Sequence, residues 1–180
     1  MSRNKTWFLL EQEGLLARAC LCNGLTALGQ ANLGDRKGFY YSAFFELSIG
    51  FERMMKLVLI LDHMSRHHLS PPDDMIIKNY GHKLRKLFHE AESVSRRLGL
   101  TTLNNFPADS IAIITLKFLD GFADTSGRYS NINKLTRNKH QAVADPLRRW
   151  GEIADLTMRD LATVAERKKL KRWVRPRASR

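Results

Sequence analysis

The amino-acid sequence predicts an all-α protein: a four- to five-helix antiparallel up-down bundle followed by a basic C-terminal tail. Three observations lead there. Five segments repeat apolar residues at spacings of three and four, the period of an amphipathic helix, and none shows the convincing alternation of a half-buried strand. Glycine- or proline-bearing turns fall between most of these segments. Only five prolines occur in 180 residues, which leaves room for long helices.

The first segment runs from about Thr6 to Leu28 and contains Gly14 and Gly24. An internal glycine costs a helix roughly 1 kcal/mol against alanine. Its presence therefore implies a closely packed neighbour or a break near Gly24. A turn through Gly29, Gly34, Asp35 and Gly38 follows. The second segment, Phe39 to about His63, is the most apolar. Ser42, Glu46, Gly50 and Arg53 fall on one narrow stripe, so this helix is expected at the centre of the bundle, wetted along that stripe alone.

His67 to Asp74, with Ser70-Pro71-Pro72-Asp73-Asp74, reads as a loop. The third helix is expected from about His82 to Leu98, with an apolar repeat from Leu84 to Leu98 and Gly99 behind it as a C-terminal stop. The fourth follows Pro107, capped by Asp109 or Ser110, and runs from Ile111 to about Thr125. Gly127 to Asn131 reads as a turn. The fifth opens at Asp145-Pro146, an N-cap residue followed by proline at the first helical position. Residues 1–165 form the bundle domain in this reading and 166–180 the tail.

Composition bounds the function. Apolar residues make up 43%, an ordinary globular share. The net charge is +12, and the stretch from Glu166 to Arg180 alone holds eight Lys or Arg against one Glu. Arg128 and, in the tail, Arg167, Lys168, Lys169, Lys171, Arg172, Arg175 and Arg177 are the candidate contacts to RNA or another polyanion, since phosphate neutralisation gives affinity without reading sequence. A solubilising terminus is the alternative reading. The apolar run Met54 to Leu61 is far short of the ~20 residues a membrane span needs. Trp7 to Leu10 is closed by Glu11 and Glu13 and resembles no signal peptide, so the cytoplasm is the expected address and no membrane partner is expected.

Cys20 and Cys22 are too close together for a structural staple and read as small core or groove residues. His63 and His67 stand four apart, but no carboxylate completes a zinc set, so a loop-facing histidine cluster is expected and neither metal nor cofactor is implied. Gly-rich phosphate loop, HExxH and nucleophile-elbow motifs are all missing, as is a helix–turn–helix with a basic recognition helix.

A distributed set of residues resembles the HEPN family of small helical bundles. Tyr80-Gly81-His82-Lys83-Leu84 with Leu87 resembles the opening of the family's third helix. Phe45-Glu46-Leu47 through Glu52 to Lys56 resembles its second, with an acidic residue a turn before a lysine. Arg128-Tyr129 resembles an Arg-Tyr pair after the fourth helix. These cover roughly Phe39 to His140 in the family's order. The resemblance implies homodimerisation, RNA or nucleotide as partner, and a toxin–antitoxin or phage-defence setting. It also implies either metal-independent endoribonuclease activity or a catalytically degenerate relative.

The nuclease members carry an arginine, a polar residue and a later histidine. Arg137-Asn138 matches that start, while His140 follows after only two intervening residues, a departure from the pattern. Residues three apart still lie about 60° from each other on a helix at ~100° per residue, so both could face one cleft. His140 would then act as general acid or base, with Arg137 stabilising the phosphate. Glu46 and Arg53 are candidate cleft-lining residues; a structural ion pair is the alternative for each. A non-enzymatic interaction module, binding its own copy or a protein partner, is the competing reading of the whole chain.

Overall fold

The computed structural model describes residues 3–34, 37–100, 107, 110–123, 132, 135–136 and 145–161. Six helices of more than one residue lie among them: α1 (Arg3–Gly34), α2 (Lys37–Arg66), α3 (Asp74–Tyr80), α4 (Leu84–Arg97), α5 (Ile111–Ala123) and α6 (Pro146–Leu161). No strand occurs among the described residues. The protein is an all-α helical bundle, as the periodicity predicts.

α2 holds the fold together. It packs on α1 along one side and on α4 and α5 along others, and α6 closes over α5. Phe44 of α2 is fully buried and is the hub of an aromatic cluster. The rings of Phe118 and Phe122 from α5 meet it edge-on at 4.7 and 5.3 Å, and Trp150 of α6 lies 5.4 Å away. Edge-to-face pairs of this kind add about 0.5–1.5 kcal/mol each beyond the burial of their area. Leu84 and Leu87 of α4 and Leu119 of α5 complete the fully enclosed centre. The buried Ser48 hydroxyl donates to the Phe44 carbonyl at 2.7 Å, which lets a polar side chain sit in this core.

The two longest helices form an antiparallel hairpin, and α1 runs unbroken through both Gly14 and Gly24. Close packing is the reason for the glycine at 24. A Cβ there would stand 2.7 Å from Leu47 Cγ and 3.0 Å from the Leu47 backbone nitrogen. The relation is reciprocal: a Cβ at Gly50 would meet Leu21 Cγ at 2.8 Å and the Leu21 nitrogen at 3.0 Å. Each helix thus carries Leu-x-x-Gly, and each leucine seats on the other helix's glycine. Gly50 is therefore buried under α1 rather than part of a wetted stripe.

Helix ends follow the side chains that cap them. Asp145 Oδ1 accepts from Leu147 N at 2.9 Å ahead of Pro146, and Ser110 Oγ lies 3.4 Å from Ile113 N. Gly99 takes φ +72° just past α4. Three boundaries differ from expectation. α1 continues to Gly34, because nothing crowds Gly29 and no proline interrupts it. The short α3 follows the Ser70–Asp73 loop; Asp73 caps it by accepting from Ile76 N at 2.9 Å. α4 begins at Leu84, which leaves His82 and Lys83 outside the helix.

Candidate functional site

Polar side chains gather where the segment between α3 and α4 meets α2. Glu52 and Lys56 stand one turn apart on α2, the acid N-terminal to the base, and pair at 2.9 Å. Gly81, at φ +69°, turns the chain sharply after α3, a conformation glycine adopts at no steric penalty. That turn brings His82 back onto α2, with its Nδ1 2.8 Å from Glu52 Oε1. A carboxylate accepts only, so the ring nitrogen at this contact carries the proton and donates. The 3.5 Å approach of Lys56 Nζ to the same nitrogen is then proximity rather than a hydrogen bond.

Electrostatics agree with that assignment. Partial burial pushes the Glu52 carboxyl up, but hydrogen bonds from Lys56 and His82, and their charges, outweigh it and hold the group below the ordinary carboxylate value. The His82 ring is largely exposed while Glu52 is mostly covered. A carboxylate fixing Nδ1–H of an exposed imidazole is an arrangement suited to proton transfer at the other ring nitrogen. The residues quoted for the second and third helices of the family resemblance thus meet in one cluster.

A second polar centre ties α4 to α2. The buried Asp62 carboxylate accepts from Arg66 at 2.8 Å and from Arg97 across the helix interface. Burial pushes Asp62 up; the two guanidinium groups overcome this and hold it below the usual range. Burial and the nearby Asp62 charge push the Tyr80 phenol up. The Arg97–Asp62 pair ties the last turn of α4 to α2.

The seam between α1 and α2 accounts for the two predicted cleft residues that are described. Arg53 donates to Glu13 of α1 at 2.6 Å, both half-exposed. Glu46 accepts from the Cys20 thiol; burial and this contact raise the thiol above its ordinary value, so it is a poor nucleophile. Cys22 is exposed on α1 rather than lying in the core or a groove, since it falls away from the α2 contact. The His63 and His67 rings stack at 3.9 Å with 9° between planes, and the His67 Nδ1 lies 2.7 Å from the His63 carbonyl oxygen. Partial burial and the neighbouring His67 and Arg66 push His63 down. No group of three metal-ligating side chains occurs among the described residues. No helix among them is long and apolar enough to cross a membrane.

Arg128, Arg137 and His140 lie outside the described residues, as do Arg167, Lys168, Lys169, Lys171, Arg172, Arg175 and Arg177. Sequence reasoning quoted Glu52, Lys56 and His82 only as motif residues and did not see them as one site, because their meeting depends on the turn at Gly81. No protein-family model, curated protein or solved structure matches this chain.

Proposed function

We propose that this chain is a HEPN-like helical-bundle protein that engages RNA or a nucleotide. It acts as a metal-independent endoribonuclease or as a catalytically degenerate relative, in a toxin–antitoxin or phage-defence setting. The observation that carries the reading is the meeting of Glu52, Lys56 and His82. These residues come from two separate stretches that the resemblance matches, and the turn at Gly81 brings them together. The net charge of +12 adds support, because a basic surface is the electrostatic footprint of a nucleic-acid partner.

The test is RNA binding and cleavage by the full chain with chelator present, comparing it with Arg137→Lys and His140→Ala. Loss of about a hundredfold or more in both variants fits the removal of electrostatic and acid–base roles. Binding without cleavage by the natural protein supports the degenerate relative. Absence of both binding and cleavage in the natural protein overturns the reading.

A second reading, an interaction module that pairs with its own copy, is favoured by one observation. Among the described residues α1 packs chiefly on α2, and it leaves Trp7, Phe8, Leu15 and Leu25 about half exposed or more. Its oligomeric test is argued below.

A further inference from the structure

Between α4 and α5 runs an open groove of about 550 Å³. Its volume falls within the range of about 300–1,000 Å³ typical of ligand sites. Phe88, Ile113 and Leu116 supply apolar lining, and Lys83, Lys86 and Lys117 are among its cations. We propose that this groove binds a segment of single-stranded RNA, its phosphates on Lys83 and Lys86 and a base against Phe88. This deepens the function proposed above and rests on it.

Charge accounting favours an anion. Four Lys or Arg line the groove against two carboxylates, Glu92 and Asp120. Both carboxylates are already engaged: Arg85 Nε lies 3.4 Å from Asp120, and Arg96 lies 3.5 Å from Glu92. Lys86 donates to the Asn79 carbonyl at 2.7 Å, which occupies a proton but leaves the charge uncompensated. Lys83 has no carboxylate partner within ion-pair distance among the described residues.

The local sequence also gives up helix stability for this charge. Lys83 is the N-cap residue of α4 and makes no side-chain cap bond, and the first turn carries Arg85 and Lys86 with no acid. Cations are the wrong sign for the positive end of a helix. An arrangement unfavourable to the free protein becomes favourable once a phosphate sits among these groups. The apolar lining selects among anions, because aromatic side chains stack on bases of any identity. An acidic peptide would use the cations and leave that lining idle.

The experiment measures anisotropy of a fluorescein-labelled short oligouridylate with the full chain across a potassium chloride series. The variant Lys83→Asp/Lys86→Gln is compared with the natural protein and with Lys5→Gln/Lys37→Asp, which changes the charge equally elsewhere. The groove variant should lose about tenfold or more in affinity, and its log–log salt slope should fall by about one per lysine removed. The distant variant should keep both within about twofold of the natural protein. Asp at position 83 supplies the missing cap and an acid at the helix start, so the groove variant's melting temperature should not fall. Equal loss in both variants, or an unchanged slope, overturns the groove while leaving RNA engagement standing. No binding by the natural protein overturns both. Competition by poly-glutamate as effective, charge for charge, as unlabelled oligouridylate would replace RNA with an acidic polypeptide and overturn the proposal.

Discussion

Gly24 lies so close to Leu47 that a methyl group at position 24 would collide with both the leucine side chain and its backbone nitrogen, at 2.7 and 3.0 Å. A flexible side chain can move aside; a helix backbone moves only if the hairpin opens. Gly24→Ala and Gly50→Ala should therefore each destabilise by about 1–3 kcal/mol, the usual range for overpacking. Gly29 is also helical, but nothing lies within 4 Å of its missing Cβ. Gly29→Ala should instead stabilise by about 0.5–1 kcal/mol, because alanine is the better helix former. Urea denaturation of the three variants checks the signs. Stabilisation at 24 or 50 would show that the helices do not approach this closely.

The Asp62 clamp predicts an acid-sensitive stability. Its folded pKa lies below the unfolded value of about 3.9. A depressed carboxylate contributes stability that is fully present above the unfolded value and is lost as pH falls through the lower folded one. Asp62→Asn should destabilise by about 1.5–3 kcal/mol near neutrality, the scale of hydrogen bonds to a charged group. That deficit should begin to shrink below about pH 4, where the unfolded carboxyl takes up a proton, and should vanish once pH has fallen through the lower folded value. Stability curves of both proteins from neutral to acid pH make the comparison. A deficit independent of pH would mean that packing, not charge, is what the substitution removes.

Which parts of this architecture were legible beforehand follows from the range of the interactions involved. Helix starts at Ser110 and Asp145 were readable because a cap and its helix are neighbours in sequence. α3 was not, since seven residues are too few to display a period, although the Asp73 cap was there to be found. The stripe through Ser42, Glu46, Gly50 and Arg53 was read as a wetted one, which is wrong at the buried Gly50. Its use was hidden, because α1 covers Gly50 and supplies Glu13 to Arg53. His82 was placed at the start of a helix; Gly81 turns it out of that helix and onto Glu52, a contact thirty residues apart in sequence. Local rules reach caps and periods, while sites built across helices depend on turns whose direction a pattern does not state.

The Glu52–His82 contact makes its own prediction. With Glu52 accepting at Nδ1, neutral His82 should populate the Nδ1–H tautomer. Glu52→Ala removes the acceptor and should shift the ring away from that tautomer. It should also cost about 1–2 kcal/mol, since the largely covered Lys56 loses its partner. Nitrogen-15 chemical shifts of the imidazole read the tautomer directly. An unchanged tautomer in the variant would show that Glu52 does not orient the ring.

The last prediction concerns what covers α1. Large apolar side chains clustered on a surface mark an interaction site, and α1 leaves Trp7, Phe8, Leu9, Leu15, Leu16 and Leu25 between 43% and 62% exposed. At about 150–250 Å² for a full aromatic side chain, these six offer on the order of 500 Å² per copy. The six spread over about 200° of the helix at ~100° per residue, so a partner that wraps around it and covers them all would bury on the order of 1,000 Å² in a two-fold contact, about the threshold for a specific interface. A second copy is the expected occupant, because a self-complementary patch needs no other protein to be present. Sedimentation at micromolar concentration should then give twice the 20.7 kDa chain mass, and Leu15→Glu should return it to the monomer by placing a charge in the contact. Cys22 provides an independent check, since it is exposed on the same helix while the Cys20 thiol is held by Glu46. A bifunctional maleimide should link two natural chains, and Cys22→Ser or Leu15→Glu should each abolish the link. A monomeric mass for the natural protein, with no crosslink, would remove the second copy as the partner of α1.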